Sequence, residues 1–154
     1  MKVWKELSPA EKAERAEGIV RVLEELTPTQ RKHAFDMNTW GERSPSEVRK
    51  LPGCGTTACA AGWCGLDPTF RKNGFRMKLS DHTFSVGPAD YFGNRIWSNL
   101  FMMTDTHFPE VIKQARTIAR DMRTVARQLE AKSKAEALLV DLEGIEDAAL
   151  DAFR

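Results

Sequence analysis

Cys54, Cys59 and Cys64 are the chain's three cysteines, five apart within eleven residues, and they share the sequence with three histidines, His33, His82 and His107. These residue types bind soft metals or serve as nucleophile and base. Sulfurs five apart on a helix of 3.6 residues per turn point about 140° away from one another. Zinc sites use shorter gaps or i, i+4 pairs, so no metal site is expected. A thiol at a helix N-terminus has a lowered pKa and is a serviceable nucleophile. Cys54 with His82 as its base is therefore the enzyme reading, a cysteine-dependent hydrolase or transferase. Against it, only 28 positions separate the two residues, with one short hairpin between them, whereas papain-like folds set the pair across a larger sheet. No close carboxylate pair supports paired-acid hydrolysis. The chain reads as non-enzymatic, with no catalytic residue and no cofactor.

A binding chemistry has more to stand on. Eight small residues, Gly55 to Gly62, follow Cys54 and end at Trp63. Leu51-Pro52-Gly53 breaks the chain just before them, so a helix is expected to open near Cys54. Its first turn would present unpaired N–H groups and the positive end of the helix dipole. Gly55, Thr56 and Thr57 then supply donors for a small anionic ligand, and Trp40 and Trp63 an aromatic wall. No Walker or dinucleotide fingerprint accompanies them. The plainer reading of the same residues is close packing, with Gly55, Cys59 and Gly62 admitting a neighbouring element and Trp63 filling the core. The two readings are compatible.

A second surface lies near the C-terminus. Lys113, Arg116, Arg120, Arg123 and Arg127 fall on one strip of a helix, opposite the apolar seam Val111, Ala115, Ile118, Met122, Val125 and Leu129. Residues 109–134 hold seven Lys/Arg against three Asp/Glu, a net +4, and residues 135–154 hold one Arg against six Asp/Glu, a net −5. The strip suits an acidic partner protein. The split also suits antiparallel self-association, a homodimer through the C-terminal helices. A solvated face balanced by the chain's own acidic end is the simpler alternative, since exposed charge rows usually do little.

These groups must be held by a scaffold, and its elements are legible. Ser8-Pro9-Ala10-Glu11, Thr27-Pro28-Thr29-Gln30 and Ser44-Pro45-Ser46-Glu47 each read as N-cap, proline at the first helical position and capping-box residue. The first helix has an apolar side of Ala13, Ala16, Ile19, Val20, Leu23 and Leu26; the second ends around Phe35, and the third is about two turns long. Asp36 to Gly41 reads as a structured connection. Alternation around Ser80-Asp81-His82 predicts an antiparallel hairpin at about 74–87. Pro88 opens a central helix with Tyr91, Phe92, Ile96, Trp97, Leu100 and Phe101. His107 reads as a surface or capping residue. Leu138, Leu142, Ile145, Ala149 and Phe153 predict a final helix packed on the preceding one. The expected fold is mainly α: one domain over 1–154, with a motif core at about 28–103, one short hairpin and a C-terminal helical hairpin at about 109–153.

A net charge of +1 argues against a general nucleic-acid binder. No apolar run is long enough to span a bilayer, and the start lacks a signal core. An odd, clustered cysteine count suits a reducing compartment, so a cytoplasmic protein is expected.

Asn38-Thr39-Trp40, the run Cys54 to Trp63, Tyr91-Phe92-Gly93 and Leu100-Phe101 together resemble a group of small bacteriophage proteins and scattered bacterial relatives with a CGTxACxAGW-type motif. The resemblance covers about residues 33–103. It implies a phage or mobile-element origin, hence host cytoplasm; the role expected from the residues above is to sequester a small anionic ligand or block a host protein. It implies no particular activity. Cys64 departs from the small apolar residue of the pattern, and the long C-terminal segment lies outside it.

Overall fold

Two capping boxes start the helical scaffold as their residue types require. The Ser8 hydroxyl accepts from the Glu11 N–H (3.2 Å) while the Ser8 N–H donates to the Glu11 carboxylate (2.7 Å). Thr27 and Gln30 repeat the exchange at 3.2 and 2.8 Å. They open α1 (Pro9–Glu25) and α2 (Pro28–His33). The computed structural model describes residues 2–33, 35, 37, 42–43, 56–57, 59–78, 83–103 and 106–152, with the backbone alone described at 33, 42–43, 56–57, 78 and 140–152. The third cap, at Ser44, lies outside the described residues.

Glu11 does more than cap. Hydrogen bonding to the Lys2 ammonium (2.6 Å), followed by the bonds from Ser8, lowers its pKa from 4.5 to about 2. A carboxylate depressed on folding stabilises the fold above its unfolded pKa, and that contribution disappears as pH falls through the folded value. Thermal midpoints are therefore expected to fall between pH 4.5 and 2. Glu11→Gln should lower the midpoint at neutral pH and flatten the fall; an unchanged profile would remove Glu11 from the account.

α1 buries Ala13, Ala16, Ile19, Val22 and Leu23, the expected stripe with Val22 in the place of the half-buried Val20. It packs along α7 (Phe108–Ala152), with His107 at the start of that helix, its carbonyl accepting from Glu110 and Val111. Glu24 meets Arg116 (2.8 Å) and Glu17 meets Arg123 (2.7 Å to Nε). Seven residues separate each pair's members on both helices, so the two run antiparallel.

The C-terminal helical pair is corrected: residues 108–152 form one helix of 45 residues, about 68 Å long. Residues 130–137, Glu-Ala-Lys-Ser-Lys-Ala-Glu-Ala, hold no glycine or proline to turn the chain. They add the i, i+4 pairs Lys132–Glu136 and Glu130–Lys134, both at 3.8 Å.

The small-residue helix starts later than expected. β1 (Glu42–Arg43) pairs antiparallel with β2 (Thr56–Thr57), and α3 runs Ala60–Leu66 with Cys59 as its N-cap. Thr56 and Thr57 are thus strand residues, not a first helical turn. α4 (Pro68–Lys72) follows, and the Asn73–Gly74 turn, with Gly74 at φ 95°, leads into the expected hairpin β3 (Met77–Lys78) and β4 (Thr83–Phe84).

The central helix is also divided. α5 (Pro88–Phe92) stops at Gly93, and α6 (Asn94–Ile96) continues into a π-helical turn, Trp97–Phe101. Gly93 has φ +85°, and a Cβ there would run into the Trp4 indole, so conformation and space both demand glycine. Tyr91, Phe92, Ile96, Leu100 and Phe101 are nevertheless buried as anticipated. Phe92 is the hub, with its ring 4.8–5.2 Å from those of Phe70, Phe75, Tyr91 and Phe101.

Candidate functional site

The described part of the CGTxACxAGW stretch is built for packing. Ala60, Ala61, Gly62, Trp63, Cys64 and Gly65 are all buried. A Cβ on Gly65 would sit 2.7 Å from the Cβ of Met77 and 3.0 Å from its backbone nitrogen, so α3 lies against β3 at a distance only glycine permits. Trp63 is 8% exposed within the same core and forms no open aromatic wall. Thr56 and Thr57, in β2, do not open a helix. Trp40, Cys54, Gly55 and His82 lie outside the described residues. Of the expected anion site the structure describes only Thr56 and Thr57, in β2, and Trp63, in α3.

Of the cysteines, Cys59 and Cys64 are buried. Desolvation, followed by the nearby charge of Asp67, pushes the Cys64 thiol well above its ordinary range, the opposite of what a nucleophile needs. Iodoacetamide should modify neither thiol in the native protein and both after unfolding. Rapid native labelling of Cys64 would overturn this assignment. No group of three or more His, Cys, Asp or Glu side chains capable of holding a metal occurs among the described residues.

An open groove of about 840 Å³ runs between α1 and α4, past Glu11, Arg15, Arg21, Phe70 and Tyr91. Its two arginines are already engaged. The Arg15 guanidinium lies 3.8 Å over the Tyr91 ring and donates to the carbonyls of Tyr91 and Lys2. Arg21 grips Asp67 with both terminal nitrogens, at 2.9 and 3.1 Å, and also reaches Glu25. Asp67 in turn caps α4, accepting from the N–H groups of Thr69 and Phe70, both at 3.0 Å. Burial alone would raise the Asp67 pKa, but the hydrogen bonds from Arg21, Phe70 and Thr69 outweigh it and hold the carboxyl below its ordinary range. This cluster ties α1 to the α3–α4 junction.

The basic strip divides into two sets. Arg116 and Arg123 are turned to α1, where they bind Glu24 and Glu17. Lys113, Arg120 and Arg127 are exposed and have no carboxylate within 4 Å among the described residues. Arg127 is close enough to Glu17 to help lower its pKa, after the larger effects of Arg123. Seven residues separate the three, so they recur about every 10.5 Å on one line of the helix. Asp121, which interrupts the strip in sequence, is held aside by Arg95 at 3.0 Å.

Past this strip α7 leaves the body. Ala126 is its last buried described residue, and every described residue from 127 to 139 is exposed. Sequence reasoning assigned Val125 and Leu129 to a covered seam, yet both are 47% exposed, and Leu138 and Leu139 are 63% and 60% exposed. The expected cover was a final helix folded back on the seam, and the continuous α7 supplies none. Among the described residues no helix is long and apolar enough to cross a membrane.

Comparison of the chain with protein-family models, with curated proteins and with solved structures gives no match.

Proposed function

We propose that this chain is a non-enzymatic binding protein that docks on an acidic surface of a partner protein through the solvent face of α7. The observation that carries this reading is the line Lys113, Arg120 and Arg127, exposed and with no carboxylate within 4 Å among the described residues. Their neighbours Arg116 and Arg123 are spent on α1. A repeat of about 10.5 Å matches carboxylates spaced by heptads on a facing helix. We further propose, from the motif resemblance of residues 33–103 alone, that the partner is a host protein blocked by this contact. A small anion at Gly55, Thr56 and Thr57 has less support, because Thr56 and Thr57 belong to β2. The cysteine-enzyme reading has no described geometry behind it.

The test places a photo-crosslinking residue at position 120 in cells and, separately, at position 116. The expected result is capture of an acidic protein from position 120 and not from position 116. That capture should be lost at high salt and in the Lys113→Glu, Arg127→Glu variant. Binding of the purified pair should weaken roughly tenfold on charge reversal and lose much of its salt dependence. Crosslinking to nucleic acid, or affinity indifferent to both reversals, would refute the proposal.

A further inference from the structure

Where α7 leaves the body it borders a second, apolar groove of about 250 Å³, lined by Trp4, Pro9, Val125 and Leu129 and edged by Lys12 and Arg95. We infer that this groove receives the projecting end of α7 from a second copy of the chain, the two helices running antiparallel. The inference is independent of the basic strip, which lies on the opposite side of α7.

Register, spacing and charge argue for this occupant. The ion pairs Glu24–Arg116 and Glu17–Arg123 set an antiparallel register that brings Pro9, the first residue of α1, opposite Ala131. From there onward the described part of α7 has no cover. A continuous helix cannot fold back into the groove beside its own base, so only another molecule can bring this segment there. Leu139 stands ten residues beyond Leu129, which at 100° per residue keeps it within about 80° of the same line. It borders the seam in the projecting part, about 40° from the line of Val125, and Glu136 falls on the seam line itself. A two-fold axis near residue 132 sets each Leu139 against the Val125 of the other copy. Two-fold symmetry makes the contact twice.

The charges agree. The segment that enters is acidic, with residues 135–154 at −5. The groove edge is basic: the Lys12 ammonium lies 5.7 Å from the Trp4 ring centre and has no carboxylate within 4 Å among the described residues, and Arg95 stands beside Asp121 at 3.0 Å.

Sedimentation equilibrium of the full chain over a range of concentrations tests this. A reversible dimer of twice 17.4 kDa is expected. Leu139→Glu should shift the dissociation constant at least tenfold toward monomer with unchanged far-UV circular dichroism, because the side chain lies outside the core. Lys12→Glu should weaken the dimer in the same direction, and Arg120→Glu with Arg127→Glu should leave it intact. For orientation, a Val125→Cys chain mixed with a Leu139→Cys chain should give a 125–139 disulfide, identified by peptide mapping, with no 125–125 or 139–139 disulfide in either chain alone. A monomer at all concentrations, a dimer indifferent to Leu139→Glu, or homotypic 125–125 disulfides would overturn the inference. So would a monomer whose groove binds an unrelated helix.

Discussion

Phe92→Ala is expected to cost about 3–5 kcal/mol, the range for emptying a fully buried aromatic site. Phe92 is 0% exposed and touches four other rings edge-on. The truncation leaves a void whose walls are the rings of Phe70, Phe75, Tyr91 and Phe101, which come from three separate segments of the chain. Collapse is therefore hindered, because moving any one ring disrupts its contacts with the others. Domains of this size have stabilities of roughly 5–15 kcal/mol, so this one change removes a large share. Thermal melting should fall by on the order of 10 °C, read by circular dichroism. Met102→Ala, at a half-exposed position in the neighbouring turn, is the control and should stay within about 0.5 kcal/mol. Comparable losses at both positions would mean that the ring cluster is not the centre of the fold.

Asp67→Ala should be the most damaging polar substitution, at about 2–3 kcal/mol from the lost cap and the lost charge-assisted bonds together. One carboxylate does two jobs: it caps α4 through Thr69 and Phe70 and it binds Arg21 of α1 bidentately. Asp67→Asn keeps an acceptor for the cap and loses the charge, so it should recover about 1 kcal/mol of the deficit. Denaturant melts of the two variants and of Arg21→Ala measure the division. If Arg21→Ala equals Asp67→Ala, the cap contributes nothing. If Arg21→Ala is neutral, the link between α1 and α4 carries no stability, in keeping with its half-exposed guanidinium.

The two substitutions probe features that differ in how far they can be read from the chain alone. The capping boxes at Ser8 and Thr27, the apolar face of α1, the turn at Gly74, the hairpin and the buried residues after Pro88 are all visible in local order, because cap chemistry and side-chain periodicity act over a few residues. The partner of Asp67 is not visible, since Arg21 lies 46 positions away and nothing local announces it. The proline and glycine before Cys54 did mark an interruption, but β1 supplies a strand partner for Thr56 and Thr57. Hydrogen bonding to a distant segment thus moved the helix start to Ala60.

At the candidate sites the same boundary holds. Small residues from Gly55 to Gly62 declared that something comes close; the close approach the structure shows is three residues beyond that run, where β3 is held against Gly65. Five cations in a row were plain from spacing, while the division between structural Arg116 and Arg123 and outward Lys113, Arg120 and Arg127 depends on where Glu17 and Glu24 stand. Heptad spacing likewise specified a seam on α7, since periodicity is intrinsic to one helix. How much of that seam is covered depends on the length and register of α1, a property of two elements together. Local residue types determine which elements form and which sides are apolar; tertiary contact alone decides which of those sides remain open to a partner.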